Sequence, residues 1–450
     1  MKTILVFGAG KSATVLIDYL KTVCIEHNWK LIIADNNLEL AQSKAGDHPN
    51  IHAVAVNATD ADERSMLIEA ASLVISLLPP ALHIYVARDC VAIGRSLLTA
   101  SYVDAAIKNL EAEINSKELL FLCEMGLDPG IDHMSAMQLI DNIHSKGGTI
   151  TSFLSHCGGL VAPESDNNPW HYKISWNPRN VVLAGKAGAV YKEEGTIRQK
   201  QYRDMFNNCS TLHIKGLPLL AWYPNRDSLS YIPLYHLETA STFIRTTLRY
   251  ADFCLGWDAL IELGITDEND KDLVSMCRTY EEWFQSKLKA AGINGESLLE
   301  WLHRQYGTEK ASYIQQQLYF LELDRSEIIP TQVTCSADLL QYCLEQKLVL
   351  HPTDKDLVVM MHEIEYTLNE QHHKIQSSLI VKGNDHLHTA MAQTVGLPLG
   401  IAARLILEEK IKIKGLQIPT ASAIYEPVLH ELKQLGIAFR ETETIAGHSS

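Results

Sequence analysis

Gly8-Ala9-Gly10-Lys11-Ser12-Ala13 forms a GxGxxA loop where the short apolar run Thr3–Phe7 gives way to a helical pattern. These residue types suit one task. Gly8 permits a tight turn, Gly10 lets the backbone approach a pyrophosphate, and Ala13 is small enough for close helix–strand packing. The helix start at Lys11, Ser12 and Ala13 adds free N–H groups and a positive dipole end. Alone the loop is a weak signal, a chance glycine-rich turn being the plain alternative. Within a continuing βαβ chain it predicts a dinucleotide site. Asp35 ends the second apolar run, where a carboxylate can accept from both ribose hydroxyls and repel a 2′-phosphate. No arginine stands immediately beside it, so the expected cofactor is NAD, with NADP as the alternative. The other reading of Asp35 is that it only caps its loop. Ser76 and Leu77 precede Pro79-Pro80 at the carboxyl edge, where ligands of open α/β sheets lie, so they are expected beside the cofactor.

The elements that must position these groups are legible as alternating apolar runs and helical patterns. After Thr3–Phe7 and a helical stretch over 12–26 come LIIA (31–34), HAVAV (52–56), LVISLL (73–78), SLLTA (96–100) and LLFLC (119–123). Continuous apolar runs of this length suit strands buried on both faces of a parallel sheet. Six of them, separated by helices, predict a Rossmann-type doubly wound α/β domain. The stretch 267–346 is dense in helix formers, 377–383 (SSLIVKG) reads as a strand, and 388–410 as an amphipathic helix that Pro398 kinks or divides.

Composition narrows the class. At 450 residues, with 46% apolar and 21% charged residues, the chain is an ordinary globular protein of two or three domains. Its formal charge of −15 argues against nucleic acid as a partner. An anionic substrate would therefore need locally placed arginines, because the long-range field repels it. No apolar run is expected to reach the roughly 18 residues of a membrane span. The N-terminus reads as a strand, with no signal-peptide pattern. Nine scattered cysteines without a CxxC pair predict reduced thiols in a cytoplasmic protein. The 19 histidines lack zinc-motif spacing, so no metal is expected.

Farther along stand Gly126-Leu127-Asp128-Pro129-Gly130-Ile131-Asp132-His133, then Cys157-Gly158-Gly159-Leu160, Ala162-Pro163-Glu164, Asn168-Pro169 and Tyr172-Lys173-Ile174-Ser175-Trp176. They are followed by Tyr223-Pro224-Asn225-Arg226-Asp227 and Arg245-Thr246-Thr247-Leu248-Arg249-Tyr250. This ordered set, over nearly the whole chain to about Lys433, closely resembles the glutamate-forming saccharopine dehydrogenases. The resemblance implies a Rossmann domain (1–130, with 388–450 packing against it), a mixed α/β substrate domain (131–250 and 351–387) and an inserted helical domain (251–350). It also implies a reaction: saccharopine interconverts with L-glutamate and 2-aminoadipate 6-semialdehyde through an imine, by nicotinamide-dependent hydride transfer.

Such a reaction needs proton donors and acceptors near the reacting nitrogen, and several fixed donors for three carboxylates. By resemblance, Tyr102 and Asp128 are the expected proton-handling groups, with Cys157 a third candidate. Ser101, Tyr102, Asp128, Ser175, Arg226, Arg245, Thr246 and Thr247 are the expected substrate contacts. Arg226 leads the carboxylate clamp. Each has a plainer reading: an Asx turn at Asp128, an inert buried thiol at Cys157, surface ion pairs at the arginines. Arg249 shares a face with Arg245 if the segment is helical. Many relatives carry arginine after the second strand, where this chain has Asp35-Asn36-Asn37, and LVAPES replaces the commoner LPAPE form.

Rival readings are a carboxynorspermidine or homospermidine synthase, a lysine dehydrogenase, or a non-catalytic nucleotide-binding regulator. A polyamine substrate would call for acidic residues in place of Arg226 and Arg245. A regulator without turnover would not be expected to keep Tyr102, Asp128, Cys157 and Arg226 together. The expected partner is a small-molecule substrate, and the expected assembly a homodimer.

Overall fold

A computed structural model describes residues 1–445; the end of the C-terminal segment, 446–450, lies outside the described residues. The chain packs as two compact units, one built from Met1–Ile150, Leu234–Leu237 and the chain from Met360 onward, the other from Thr151–Pro233 and Glu238–Val359.

In the first unit the six apolar runs become strands β1 (Thr3–Phe7), β2 (Lys30–Asp35), β3 (Ile51–Ala55), β4 (Leu73–Ser76), β5 (Leu97–Thr99) and β6 (Leu120–Leu122). A seventh strand, Gly415–Gln417, pairs parallel with β6 and was not legible beforehand. The sheet order is Gly415–Gln417, β6, β5, β4, β1, β2, β3, with every pairing parallel. Chain direction across the sheet reverses between β1 and β4, so the loop after β1 opens at the topological switch point, where α/β sheets bind ligands. Helices α1 (Thr14–Glu26), α2 (Leu38–Ala45), α3 (Ala61–Ala70) and α4 (His83–Ile93) connect the strands. Lys11–Ala13 forms a single 3₁₀ turn before α1.

The helix Ala390–Leu407 corrects two expectations. It runs unbroken through Pro398, and it is long and apolar enough to cross a membrane, with a mean hydropathy of 1.5 over 18 residues. Yet 78% of that stretch is buried inside the fold, so it is a core helix and only weakly amphipathic. It lies close against α1 because Gly396 and Gly400 present no side chain. A Cβ at Gly396 would come within 2.7 Å of Leu16 N, and one at Gly400 within 2.5 Å of the Tyr19 ring.

The second unit is built on the strand Thr242–Tyr250, which runs antiparallel to Leu220–Pro224 and parallel to Thr149–Val161. Six helices follow: Ala251–Glu262, Lys271–Ser275, Tyr280–Ala290, Leu298–Tyr306, Thr308–Phe320 and Ser336–Lys347. Leu298–Tyr306 begins with a reciprocal Ser297–Glu300 capping box, which satisfies two otherwise orphaned backbone donors. Trp283, Trp301, Leu302, Leu318 and Leu340 fill the core beneath these helices together with Trp170 and Trp257.

Candidate active site

The glycine loop closes onto the end of β4. Gly8 has φ +100°, and a Cβ there would sit 2.8 Å from the Leu77 carbonyl oxygen, so both backbone and space demand glycine. Gly10 differs. Its backbone is extended, and a Cβ would meet nothing within 4 Å. Nothing in the fold therefore requires glycine at 10, whereas a pyrophosphate lying against the loop does. On this observation the loop fits a nicotinamide dinucleotide, and the Lys11 and Ser12 N–H groups at the helix entry would be the ones to hold its phosphates. The Ala13 N–H, also expected there, is taken by the Gly10 carbonyl oxygen at 3.1 Å.

Asp35 is engaged by the protein itself. Oδ2 accepts the Ala9 N–H at 2.6 Å and Oδ1 accepts the Asn37 N–H at 2.9 Å. Its carboxylate thus ties the glycine loop to the start of α2. Both the capping reading and the ribose reading raised by the sequence begin from this position.

A group missed by sequence reasoning joins two that were not. Ser76 Oγ, at the end of β4, shares a 2.8 Å hydrogen bond with His83 Nδ1, and His83 Nε2 shares another of 2.8 Å with Ser101 Oγ. His83 is 2% exposed and opens α4, so burial lowers its pKa to about 4, against an opposing pull from Asp104. The imidazole is therefore neutral near pH 7 and holds both hydroxyls by one donor and one acceptor nitrogen.

Beyond β5 and β6, the Tyr102 hydroxyl donates to Asp128 Oδ1 at 3.2 Å. Two of the expected proton-handling groups are thus brought together. Behind them lies Glu124, which accepts the Val103 N–H at 3.1 Å and shares a 2.8 Å hydrogen bond with His133 Nε2. Its own N–H donates to the Ser101 carbonyl. His133 Nδ1 in turn meets the Tyr235 hydroxyl at 2.5 Å. Glu124 therefore fixes the backbone on both sides of Tyr102. His133 was visible inside the GLDPGIDH motif, but its partners at 124 and 235 carry no spacing signal. The Asp128–Pro129 bond is cis, and Gly130, at φ +147°, lies so close to Gly126 that a Cβ would fall 2.1 Å from the Gly126 carbonyl oxygen.

The remaining candidates lie in the second unit. RTTLRY belongs to a strand, so the helical alternative for Arg245 and Arg249 is corrected. They still share a face, because a strand repeats every two residues. Thr247 joins them there, while Thr246 points the other way and meets His156 Nδ1 at 2.7 Å. Arg245 is buried, with its guanidinium 4.4 Å from the Tyr231 ring centroid and its backbone N–H donated to Ser228 Oγ. Thr247 pairs across the ladder with Cys157, which is buried, as is Ser175. Arg226 is exposed, adopts φ +50° and pairs with Ala189. Among the expected groups, then, the structure joins Gly8 with Leu77, Ser76 with Ser101 through His83, Tyr102 with Asp128, and Thr247 with Cys157. Thr246 is separated from its neighbours by the pleat.

Residues 4–122 match the family model for the saccharopine dehydrogenase NADP binding domain, and residues 126–437 that for the saccharopine dehydrogenase C-terminal domain. The chain is 31% identical over 450 residues to saccharopine dehydrogenase [NADP(+), L-glutamate-forming] of Saccharomyces cerevisiae, covering 99% of this chain and 100% of that one. It is 32% identical over 473 residues to alpha-aminoadipic semialdehyde synthase of Arabidopsis thaliana, covering 97% of this chain but 44% of that protein. The chain thus spans less than half the length of such synthases. The solved apo saccharopine dehydrogenase (L-Glu forming) from Saccharomyces cerevisiae superposes with a TM-score of 0.87 at 30% identity, over 99% of this chain and 100% of that one.

Proposed function

The chain belongs to the saccharopine dehydrogenase family, and on that premise we propose that it interconverts saccharopine with L-glutamate and 2-aminoadipate 6-semialdehyde, a CH–NH oxidoreduction of lysine metabolism. The observation that carries the reading is the Tyr102–Asp128 hydrogen bond, 3.2 Å long, at the same strand edge as the glycine loop. A bound nicotinamide supplies or accepts the hydride. The rest falls to the side chains. In saccharopine oxidation the reacting nitrogen loses a proton, water adds to the imine carbon, and the C–N bond then breaks to release glutamate and the aldehyde.

In this reading Asp128 takes the proton and Tyr102 donates to the oxygen or nitrogen that gains one, a division suited to a hydrogen-bonded carboxylate and phenol. Cys157 remains a third acid–base candidate. Ser101, held by His83, and Ser175 contact substrate, while Arg226, Arg245, Thr246 and Thr247 supply donors to its carboxylates. The division into a Rossmann part (1–130 and 388–450), a substrate part (131–250 and 351–387) and a helical part (251–350) belongs to the same proposal. For the cofactor, the names of the fungal relatives and of the matched domain support NADP over the NAD suggested by Asp35.

The test is absorbance at the reduced-nicotinamide band, with purified protein, saccharopine and either NADP or NAD at mildly alkaline pH. A rise with NADP is expected. No rise with either cofactor overturns the proposal.

A further inference from the structure

If NADP is the cofactor, its 2′-phosphate needs a cation, and the end of β2 offers none: Asp35 is followed by Asn36, Asn37 and Leu38. The glycine loop has a cation from another direction. Lys44, in the last turn of α2, donates from Nζ to the Gly10 carbonyl oxygen at 2.7 Å and to Thr14 Oγ1 at 2.9 Å. We propose that Lys44 is the residue that selects NADP over NAD, recognising the 2′-phosphate across the glycine loop in place of an arginine after β2.

Three features support this assignment, which rests on the dinucleotide reading of the loop. Both partners of Lys44 are neutral oxygens, and among the described residues no carboxylate forms an ion pair with it. An ammonium carries three donors, so one remains beyond the two bonds to Gly10 and Thr14. Second, Lys44 is partly buried, and burial lowers its pKa to about 8, with Asp18 on α1 and Asp35 on β2 pulling it back up. Lys21 on α1 adds a second ammonium nearby, donating to the Lys44 carbonyl oxygen at 2.8 Å. A half-desolvated cation without an ion-pair partner gains most from a dianion. Third, Gly10, which Lys44 touches, is the residue whose outer side is open, and the N-terminal end of α1 adds its own partial positive charge there.

Asp35 then acquires a different role from the one its position suggests. With one oxygen on the Ala9 N–H and the other on the Asn37 N–H, it holds together the two segments that carry Gly10 and Lys44. Two backbone donors also offset part of its charge, which softens its repulsion of a phosphate.

The experiment is calorimetric titration of the full chain with NADP and with NAD, in the absence of saccharopine, for wild type, Lys44→Met and Lys44→Arg. Loss of one charge-assisted bond should weaken NADP by about tenfold to a hundredfold in Lys44→Met and leave NAD within about twofold. Lys44→Arg should keep most of the NADP affinity, and adenosine 2′-monophosphate should compete with NADP in wild type but not in Lys44→Met. Equal weakening of both cofactors would make Lys44 a staple of the loop and overturn the proposal, as would no weakening of either. Because turnover is not measured, these outcomes are independent of whether saccharopine is the substrate.

Discussion

The Tyr102 hydroxyl donates to Asp128 Oδ1 at 3.2 Å, joining the loop after β5 to the loop after β6 at the carboxyl edge of the parallel sheet. The pair is held from behind by Glu124, which grips the backbone on both sides of Tyr102. Tyr102→Phe should therefore leave folding nearly unchanged and lower kcat by on the order of a hundredfold, the usual scale for a positioned proton donor. Asp128→Asn should do at least as much. Steady-state kinetics with saccharopine checks both, and a Tyr102→Phe enzyme within about twofold of wild type would remove Tyr102 from the proton path.

His83 makes a prediction about acid stability. Its pKa falls from 6.5 in a free chain to about 4 in the fold, chiefly through burial. The unfolded chain thus binds the extra proton between those two values. Stability from this site is complete above pH 6.5 and is lost as pH falls toward 4. Replacing His83 with Gln removes that dependence. Melting temperatures of wild type and His83→Gln, compared at neutral and mildly acid pH, should draw together as the solution is acidified. A constant gap would mean that the buried imidazole is not the group being titrated.

Much of this arrangement was legible because parallel strands buried on both faces are written as unbroken apolar runs. All six of β1 to β6 were written as such runs, although β3, at the edge of the sheet, is buried only at Ile51. Gly415–Gln417 was not, since a three-residue edge strand is specified by its pairing with β6 and has no pattern of its own. The same limit hid His83. Its serine partners stand 7 and 18 residues away, and only the sheet order brings the ends of β4 and β5 side by side. Lys44 was hidden for a similar reason, as 34 residues separate it from Gly10. The spacing of Arg245 and Arg249 fits a helix or a strand equally well, because four residues is near one helical turn and is also two full strand repeats.

Gly10 and Gly130 should respond oppositely to the same substitution. Gly10→Ala places a methyl in open space on an ordinary backbone, so the melting temperature should hold while cofactor affinity falls by about tenfold, the scale of a methyl forced into a close contact. Gly130→Ala collides with the Gly126 carbonyl at a positive φ, so it should damage folding itself. Thermal melts with and without NADP separate the two cases. If Gly10→Ala binds cofactor as wild type does, the open side of Gly10 is not the phosphate cradle.

Arg226 and Arg245 should likewise fail in different ways. Arg226 is exposed, so its removal leaves no buried hole, and its left-handed backbone strains arginine and alanine alike because both carry a Cβ. If it clamps a substrate carboxylate, Arg226→Ala should raise KM for saccharopine by about tenfold or more, with cofactor affinity unchanged. Arg226→Lys should recover only part of that loss, because a point charge replaces a bidentate fork. Arg245 is buried over Tyr231, so Arg245→Ala should lower the melting temperature as well as weaken substrate. The pairing of readouts decides the roles. An Arg226→Ala enzyme with wild-type KM would take Arg226 out of the site and leave carboxylate recognition to Arg245 and its neighbours.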